Sequence, residues 1–209
     1  WPEIDQKPVL GGRGASGMGT GLVTTRISGG VHRGRLIRTP RSVGLRPTSE
    51  RVRAAVFSII GADSVAGKKV LDLYAGTGAF GIDALSRGAS TVDFVEHNQV
   101  LCNAIRGHLR ELSLDSIGTV HRSKVHRMLP KIKGEFDLVI ADPPYGSDEL
   151  GMVLEELQRP GLVAAEGIVV LEYRAGADAI EDAAGFRRLT DRTYGDTGIT
   201  ILEAGDANA

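Results

Sequence analysis

The stretch Asp72-Leu73-Tyr74-Ala75-Gly76-Thr77-Gly78-Ala79-Phe80-Gly81 decides how this chain folds. Residues 70–74 read as a buried strand, and glycines 76, 78 and 81 fit G-x-G-x-x-G, a strand turning sharply into a helix. Small residues at such a turn let a ligand approach the backbone where the helix begins and its N–H groups are unpaired. Glu96 closes the next β-rich segment, twenty residues after Gly76, where an acid can grip ribose hydroxyls. By spacing alone this fits the fingerprint of a nicotinamide dinucleotide site. Asp72 argues against it, because a carboxylate just ahead of the glycines would repel a pyrophosphate yet can meet a ligand's ammonium group.

Outward from this loop the chain alternates strands and helices. Strands are expected at 70–74, 91–96, 119–122, 136–141 and 168–173. The clearest helix is 98–112, whose Leu101, Ala104, Ile105, His108 and Leu112 share a face. Repeated βα units of this kind imply a parallel sheet covered on both sides. Segments 186–194 and 197–202 flank Gly195-Asp196, a hairpin turn that makes the last two strands antiparallel. Ahead of the sheet a helix is expected from Thr48, its N-cap, to Ile60, with Val52, Ala55, Val56, Ile59 and Ile60 as its apolar stripe and Gly61 as its stop. Arg51 and Arg53 fall off that stripe. The expected organisation is a disordered glycine-rich segment over 1–24, a basic arm and helix over 25–61, the main α/β domain over 62–204 and a disordered tail over 205–209.

With 209 residues, 42% hydrophobic and 24% charged, the chain has the composition of one ordinary globular domain with a small extension. It contains no apolar run of membrane-spanning length and no secretory leader pattern, and Cys102 is its only cysteine. A reducing cytoplasm is the expected setting, with no membrane partner. The five histidines have no metal-like grouping, so no metal is expected. The net charge of −1 hides an asymmetry: Arg26, Arg33, Arg35, Arg38, Arg41, Arg46, Arg51 and Arg53 face Glu50 alone, with no lysine among them. Forked guanidinium groups in such a block point to phosphate, hence nucleic acid.

Asp142-Pro143-Pro144-Tyr145 follows the apolar run 136–141. It sets a carboxylate, a stiff backbone corner and an aromatic face at the mouth of a buried strand. As a bare pattern it is also an ordinary strand-to-loop turn. Glu172 closes another expected strand and reads as a common strand-end acid. The tetrapeptide resembles the D/N-P-P-Y/F/W motif of amino-group methyltransferases, and D-x-x-x-G-x-G at 72–78 resembles the cofactor loop of enzymes that use S-adenosylmethionine. The alternating strands with a terminal hairpin resemble the seven-stranded, Rossmann-like class I methyltransferase fold.

Three further stretches occur in the order of one family: Arg26-Ile27-Ser28-Gly29-Gly30 with Arg33-Gly34-Arg35, then Gly44-Leu45-Arg46-Pro47-Thr48-Ser49-Glu50-Arg51-Val52-Arg53, then residues 71–89. With Asp142 to Tyr145 they resemble the RsmD family, bacterial methyltransferases of guanine-N2 in small-subunit (16S) ribosomal RNA. The resemblance implies S-adenosylmethionine as cofactor, S-adenosylhomocysteine as product and no metal. It implies a cofactor site at Asp72, Tyr74, Gly76, Thr77, Gly78, Glu96, His97 and Ser123. Asp142, Pro143, Pro144 and Tyr145 would hold and stack the target base, and Arg26, Arg33, Arg35, Arg46, Thr48, Arg51 and Arg53 would bind RNA. The substrate would be 16S rRNA within a small-subunit assembly intermediate, met by a monomer. An adenine-N6 methyltransferase, a nicotinamide-dependent oxidoreductase and a non-catalytic RNA-binding protein are the alternatives.

Overall fold

In the computed structural model, residues 21–40, 48–144, 148–176 and 184–205 are described. Strands β1 (Leu22–Arg26) and β2 (Leu36–Pro40) pair antiparallel as a separate hairpin, and helix α1 (Glu50–Ile60) follows. The main domain runs β3 (Lys69–Leu73), α2 (Ala79–Ser86), β4 (Thr91–Glu96), α3 (Gln99–Glu111), β5 (Gly118–Arg122), α4 (Val125–Met128) and β6 (Phe136–Ala141). It ends with α5 (Glu149–Leu157), β7 (Val163–Arg174), β8 (Phe186–Tyr194) and β9 (Thr197–Ala204). The sheet order is β5-β4-β3-β6-β7-β9-β8. The first five strands are parallel, while β9 lies antiparallel to both β7 and β8. The sequence thus anticipated the sheet and its closing hairpin. Insertion of the last strand between β7 and β8 separates this order from the 3-2-1-4-5-6 sheet of dinucleotide enzymes.

The β3, β6 and β7 strands are apolar on both faces because both are covered. One face buries Val70, Leu138, Ile140 and Val170 with Phe57 of α1, Ile82 of α2 and Ile105 of α3. The other buries Leu71, Val139 and Leu171 with Val125, Leu129, Val153 and Leu157. Gly81 makes the first layer possible: a Cβ there would stand 2.2 Å from Phe94 Cε1. Among the described residues no helix is long and apolar enough to cross a membrane.

Two local expectations need correction. Helix α1 is capped by Ser49, whose side chain accepts from the Val52 N–H, and not by Thr48. Its buried face is Val52, Arg53, Val56 and Phe57, leaving Ile59 exposed. The stripe is rotated because Arg53 finds a buried partner and Phe57 packs on Phe80 beneath the Arg87 guanidinium. In addition, Leu22 to Thr24, placed by the sequence in a disordered leader, belong to β1. Residues 1–20 and 206–209 lie outside the described residues.

The hairpin does not stand apart from the domain. Loop 27–35 lies on the C-terminal end of α2: the Val31 N–H donates to the Ser86 carbonyl at 2.8 Å, and Ser86 Oγ donates to the Gly29 carbonyl at 2.6 Å. Gly30, with φ of 76°, touches this end so closely that a Cβ would sit 1.8 Å from the Ser86 oxygen.

Candidate active site

The carboxyl ends of β3, β4, β6 and β7 meet on one side of the sheet, where ligands of open α/β sheets bind. Beyond β3 the backbone turns through Tyr74, Gly76 and Gly78, all with positive φ (58°, 54° and 74°). A tyrosine in that region is a strained residue of the kind that clusters at functional sites. Gly78 is the N-cap of α2 and offers no side chain to close the helix start. Asp72 supplies the missing acceptor, taking the Gly81 N–H at 2.9 Å on Oδ2. Burial pushes the Asp72 carboxyl up to about 7; the Gly81 bond opposes that rise and the Glu96 charge adds to it.

Glu96, only 5% exposed, holds the loop from β4. Its Oε2 accepts from the Gly76 N–H at 2.9 Å and its Oε1 from the Asn98 N–H at 2.7 Å, with His97 Nδ1 at 3.1 Å from Oε1. Asn98 itself caps α3 through the Val100 and Leu101 N–H groups, its helix-capping reading. Tyr74, Val95, Glu96, His97, Ser123, Lys124, Val125, Pro144 and Glu149 line a hollow of about 250 Å³. The structure therefore gathers Tyr74, Glu96, His97, Ser123 and Pro144 around one space, with Gly76, Thr77 and Gly78 in the loop at its edge. Burial, reinforced by Glu149, raises the Tyr74 phenol.

Asp142 follows β6 and is half-buried, and Pro143 is buried. Burial first, then the charges of Glu172 and Asp72, push Asp142 up to about 8. Tyr145 lies outside the described residues. Glu172, 4% exposed near the end of β7, accepts from Thr48 Oγ1 on Oε2 at 2.6 Å. Thr48, expected to face RNA, is thus turned toward the sheet.

Of the arm's expected RNA ligands, Arg33, Arg35 and Arg51 are exposed, Arg35 reaching Glu111 at 3.7 Å. Arg26 is exposed, with its Nε 3.8 Å from Glu50 and its Nη1 donating to the Gly34 carbonyl. Arg46 lies outside the described residues. Arg53 is a correction: it is 0% exposed and cannot meet a phosphate from this position. Its Nε donates to Asp83 Oδ2 at 2.7 Å, Nη1 to the Thr48 carbonyl and Nη2 to the Arg26 carbonyl, both at 2.6 Å. Asp83 also takes the Ser28 N–H at 2.6 Å and the Ser28 hydroxyl at 2.9 Å. Sequence reasoning missed Asp83, Ser28 and Glu172. The available signal was an acid inside the otherwise apolar helix Ala79–Ser86, which calls for a buried cation.

The comparisons with known proteins agree with this geometry. A family model described as conserved hypothetical protein 95 matches residues 25–203. The protein named "Ribosomal RNA small subunit methyltransferase D" of Escherichia coli K12 is 32% identical over 147 residues, covering 70% of this chain and 73% of that protein. "Putative rRNA methyltransferase YlbH" of Bacillus subtilis is 29% identical over 181 residues, 85% of this chain and 98% of that one. Among solved structures, "Putative methyltransferase yhhF" from Escherichia coli superposes with a TM-score of 0.76 at 26% identity, covering 88% of this chain and 99% of that chain. Matched over nearly its whole described length, and built on the same sheet, this chain belongs to the conserved hypothetical protein 95 family, the RsmD family.

Proposed function

We propose that this chain methylates the exocyclic N2 of one guanine in 16S ribosomal RNA, using S-adenosylmethionine and releasing S-adenosylhomocysteine. The cofactor, when bound, supplies an electrophilic methyl group. The residues present fit it: Glu96 lies at the hollow for ribose hydroxyls, and the buried Asp72 carboxyl beside the glycine turn suits an ammonium group. The single observation that carries the reading is the position of Asp142-Pro143, at the end of β6 and next to β3 with its glycine loop.

A guanine amine is a weak nucleophile because its lone pair is delocalised into the ring. One amine hydrogen donated to the Asp142 carboxylate and the other to the Pro143 carbonyl would aim that lone pair out of the ring plane. Catalysis of this kind is mainly positioning and charge placement. Asp142, brought near neutrality at about 8, is suited to take the proton that nitrogen loses. Tyr145 stacks on the base, contributing about 1–3 kcal/mol. The base must leave its own stack to reach this site. Arg26, Arg33, Arg35, Arg46 and Arg51 hold phosphates and set register.

The relatives named as rRNA methyltransferases support RNA as the substrate. The enzyme acts as a cytoplasmic monomer on an assembly intermediate of the small subunit. Incubation with labelled cofactor and small subunits from cells lacking this activity, followed by nucleoside mass spectrometry, should yield N2-methylguanosine at one position. N6-methyladenosine, or label entering DNA alone, would overturn the reading.

A further inference from the structure

Asp142 and Pro143 read an amine, and both guanine and adenine carry one. The two bases differ beside that amine: guanine N2 has the N1–H donor next to it, whereas adenine N6 has the N1 lone pair. The residue adjoining Asp142 therefore decides between them. In the parallel pairing of β6 with β7, Ala141 stands opposite Leu171, so Asp142 and Glu172 follow at the same level on neighbouring strands. Strands in a sheet are only about 4.8 Å apart, and the Glu172 charge is felt at Asp142.

Glu172 is also held in place. Thr48 Oγ1 donates to its Oε2 at 2.6 Å, and the Thr48 carbonyl is in turn gripped by Arg53 Nη1 at 2.6 Å. An ionised carboxylate has about four lone-pair positions, so one hydroxyl does not exhaust it. Thr48 further lines a groove of about 350 Å³ between the β1–β2 hairpin and the start of α1, together with Thr24, Arg26, Leu36 and Ser49. The same threonine thus faces the arm's groove and fixes the acid beside the amine-holding corner.

Resting on the amine-methylation reading above, we propose that Glu172 is the specificity-determining residue that selects guanine, accepting the base N1–H while Asp142 holds N2. Adenine would set its N1 lone pair against that carboxylate, a repulsive contact that disfavours it.

The test uses reconstituted small subunits in which the mapped target guanine is replaced by 2-aminopurine, which keeps the 2-amine but has no N1–H. A second set carries 6-thioguanine, which keeps N1–H and alters only the 6-substituent. The wild-type protein should prefer guanine over 2-aminopurine in kcat/KM by at least roughly a hundredfold, as sites built around a substrate N–H do, and should accept 6-thioguanine within about tenfold of guanine. Glu172→Gln, whose amide can donate to an N1 lone pair, should bring the two purines within about tenfold of each other. Equal use of guanine and 2-aminopurine by the wild type overturns the proposal without recourse to any variant. So does a Gln variant that binds cofactor normally and loses both substrates in proportion. Failure of the wild type to methylate the guanine control is a different result and overturns the underlying reading instead.

Discussion

Arg53 Nε lies 2.7 Å from Asp83 Oδ2, and neither side chain reaches solvent. The pair joins three pieces of chain far apart in sequence: Arg53 also holds the Arg26 and Thr48 carbonyls, and Asp83 holds Ser28. Removing one partner of such a pair leaves an uncompensated buried charge. Arg53→Ala should therefore lower unfolding free energy by about 3–5 kcal/mol, read from urea denaturation. Replacing both with apolar residues of similar volume, Arg53→Met with Asp83→Leu, should recover most of that loss. A single-variant cost below about 1 kcal/mol would mean the pair is not closed in solution.

That pair marks where the sequence stopped being legible. Alternating apolar segments, the turn at Gly76 to Gly81 and the hairpin at Gly195-Asp196 act over short distances, and each leaves its signature in adjacent residues. The buried role of Arg53 depends on Asp83, thirty positions away, and on how α1 sits against α2. Read locally, an arginine off the apolar stripe belongs to solvent. Thr48 and Ser49 are likewise interchangeable as caps by local chemistry. The choice fell to Ser49 because Thr48 has a partner in Glu172, 124 residues on. Glu172 was legible only as a strand-end acid until the β6–β7 register set it beside Asp142.

Gly81 is required by packing. A methyl group there would lie 2.2 Å from Phe94 Cε1 and 2.9 Å from Val92 Cγ1, both buried in the sheet. Gly81→Ala should destabilise the protein by about 1–3 kcal/mol, the usual range for overpacking. It should also weaken cofactor binding, because the Gly81 N–H holds Asp72. Adding Phe94→Leu should restore part of the stability. Calorimetric melting and cofactor titration of the single and double variants check both effects.

The pH dependence of stability follows from Asp72. Its folded value of about 7 is above its ordinary 3.8, so between these limits the folded protein binds more protons than the unfolded chain. Stability of the cofactor-free protein should therefore fall as pH rises through that window, by an amount on the order of a few kcal/mol. Asp142, raised to about 8, pushes in the same direction. Urea titrations at pH 5.5 and 8.5 should give the higher midpoint at the lower pH, and Asp72→Asn should flatten the difference. Affinity for a ligand bearing an ammonium group should run the opposite way, rising with pH through about 7, because only the ionised carboxylate attracts it. An affinity that is flat from pH 6 to 8 would separate Asp72 from the ligand's charge.

Charge removal on the arm should separate binding from chemistry. Arg33, Arg35 and Arg51 are exposed, whereas Arg53 is sealed in the clasp beneath them. Arg33→Ala, Arg35→Ala and Arg51→Ala together should weaken RNA binding at low salt and reduce the slope of log K against log salt by about 0.7–0.9 for each phosphate that is no longer neutralised. Their melting temperature should stay close to that of the parent protein, since exposed single charges contribute little to stability. Asp142→Ala should show the reverse: no methyl transfer, with RNA affinity and its salt slope nearly unchanged. Filter binding across a salt series, run beside a single-turnover transfer assay, distinguishes the two groups. If the arm variants keep the parental slope, the polyanion surface lies elsewhere, and the arginine block serves only to build the arm.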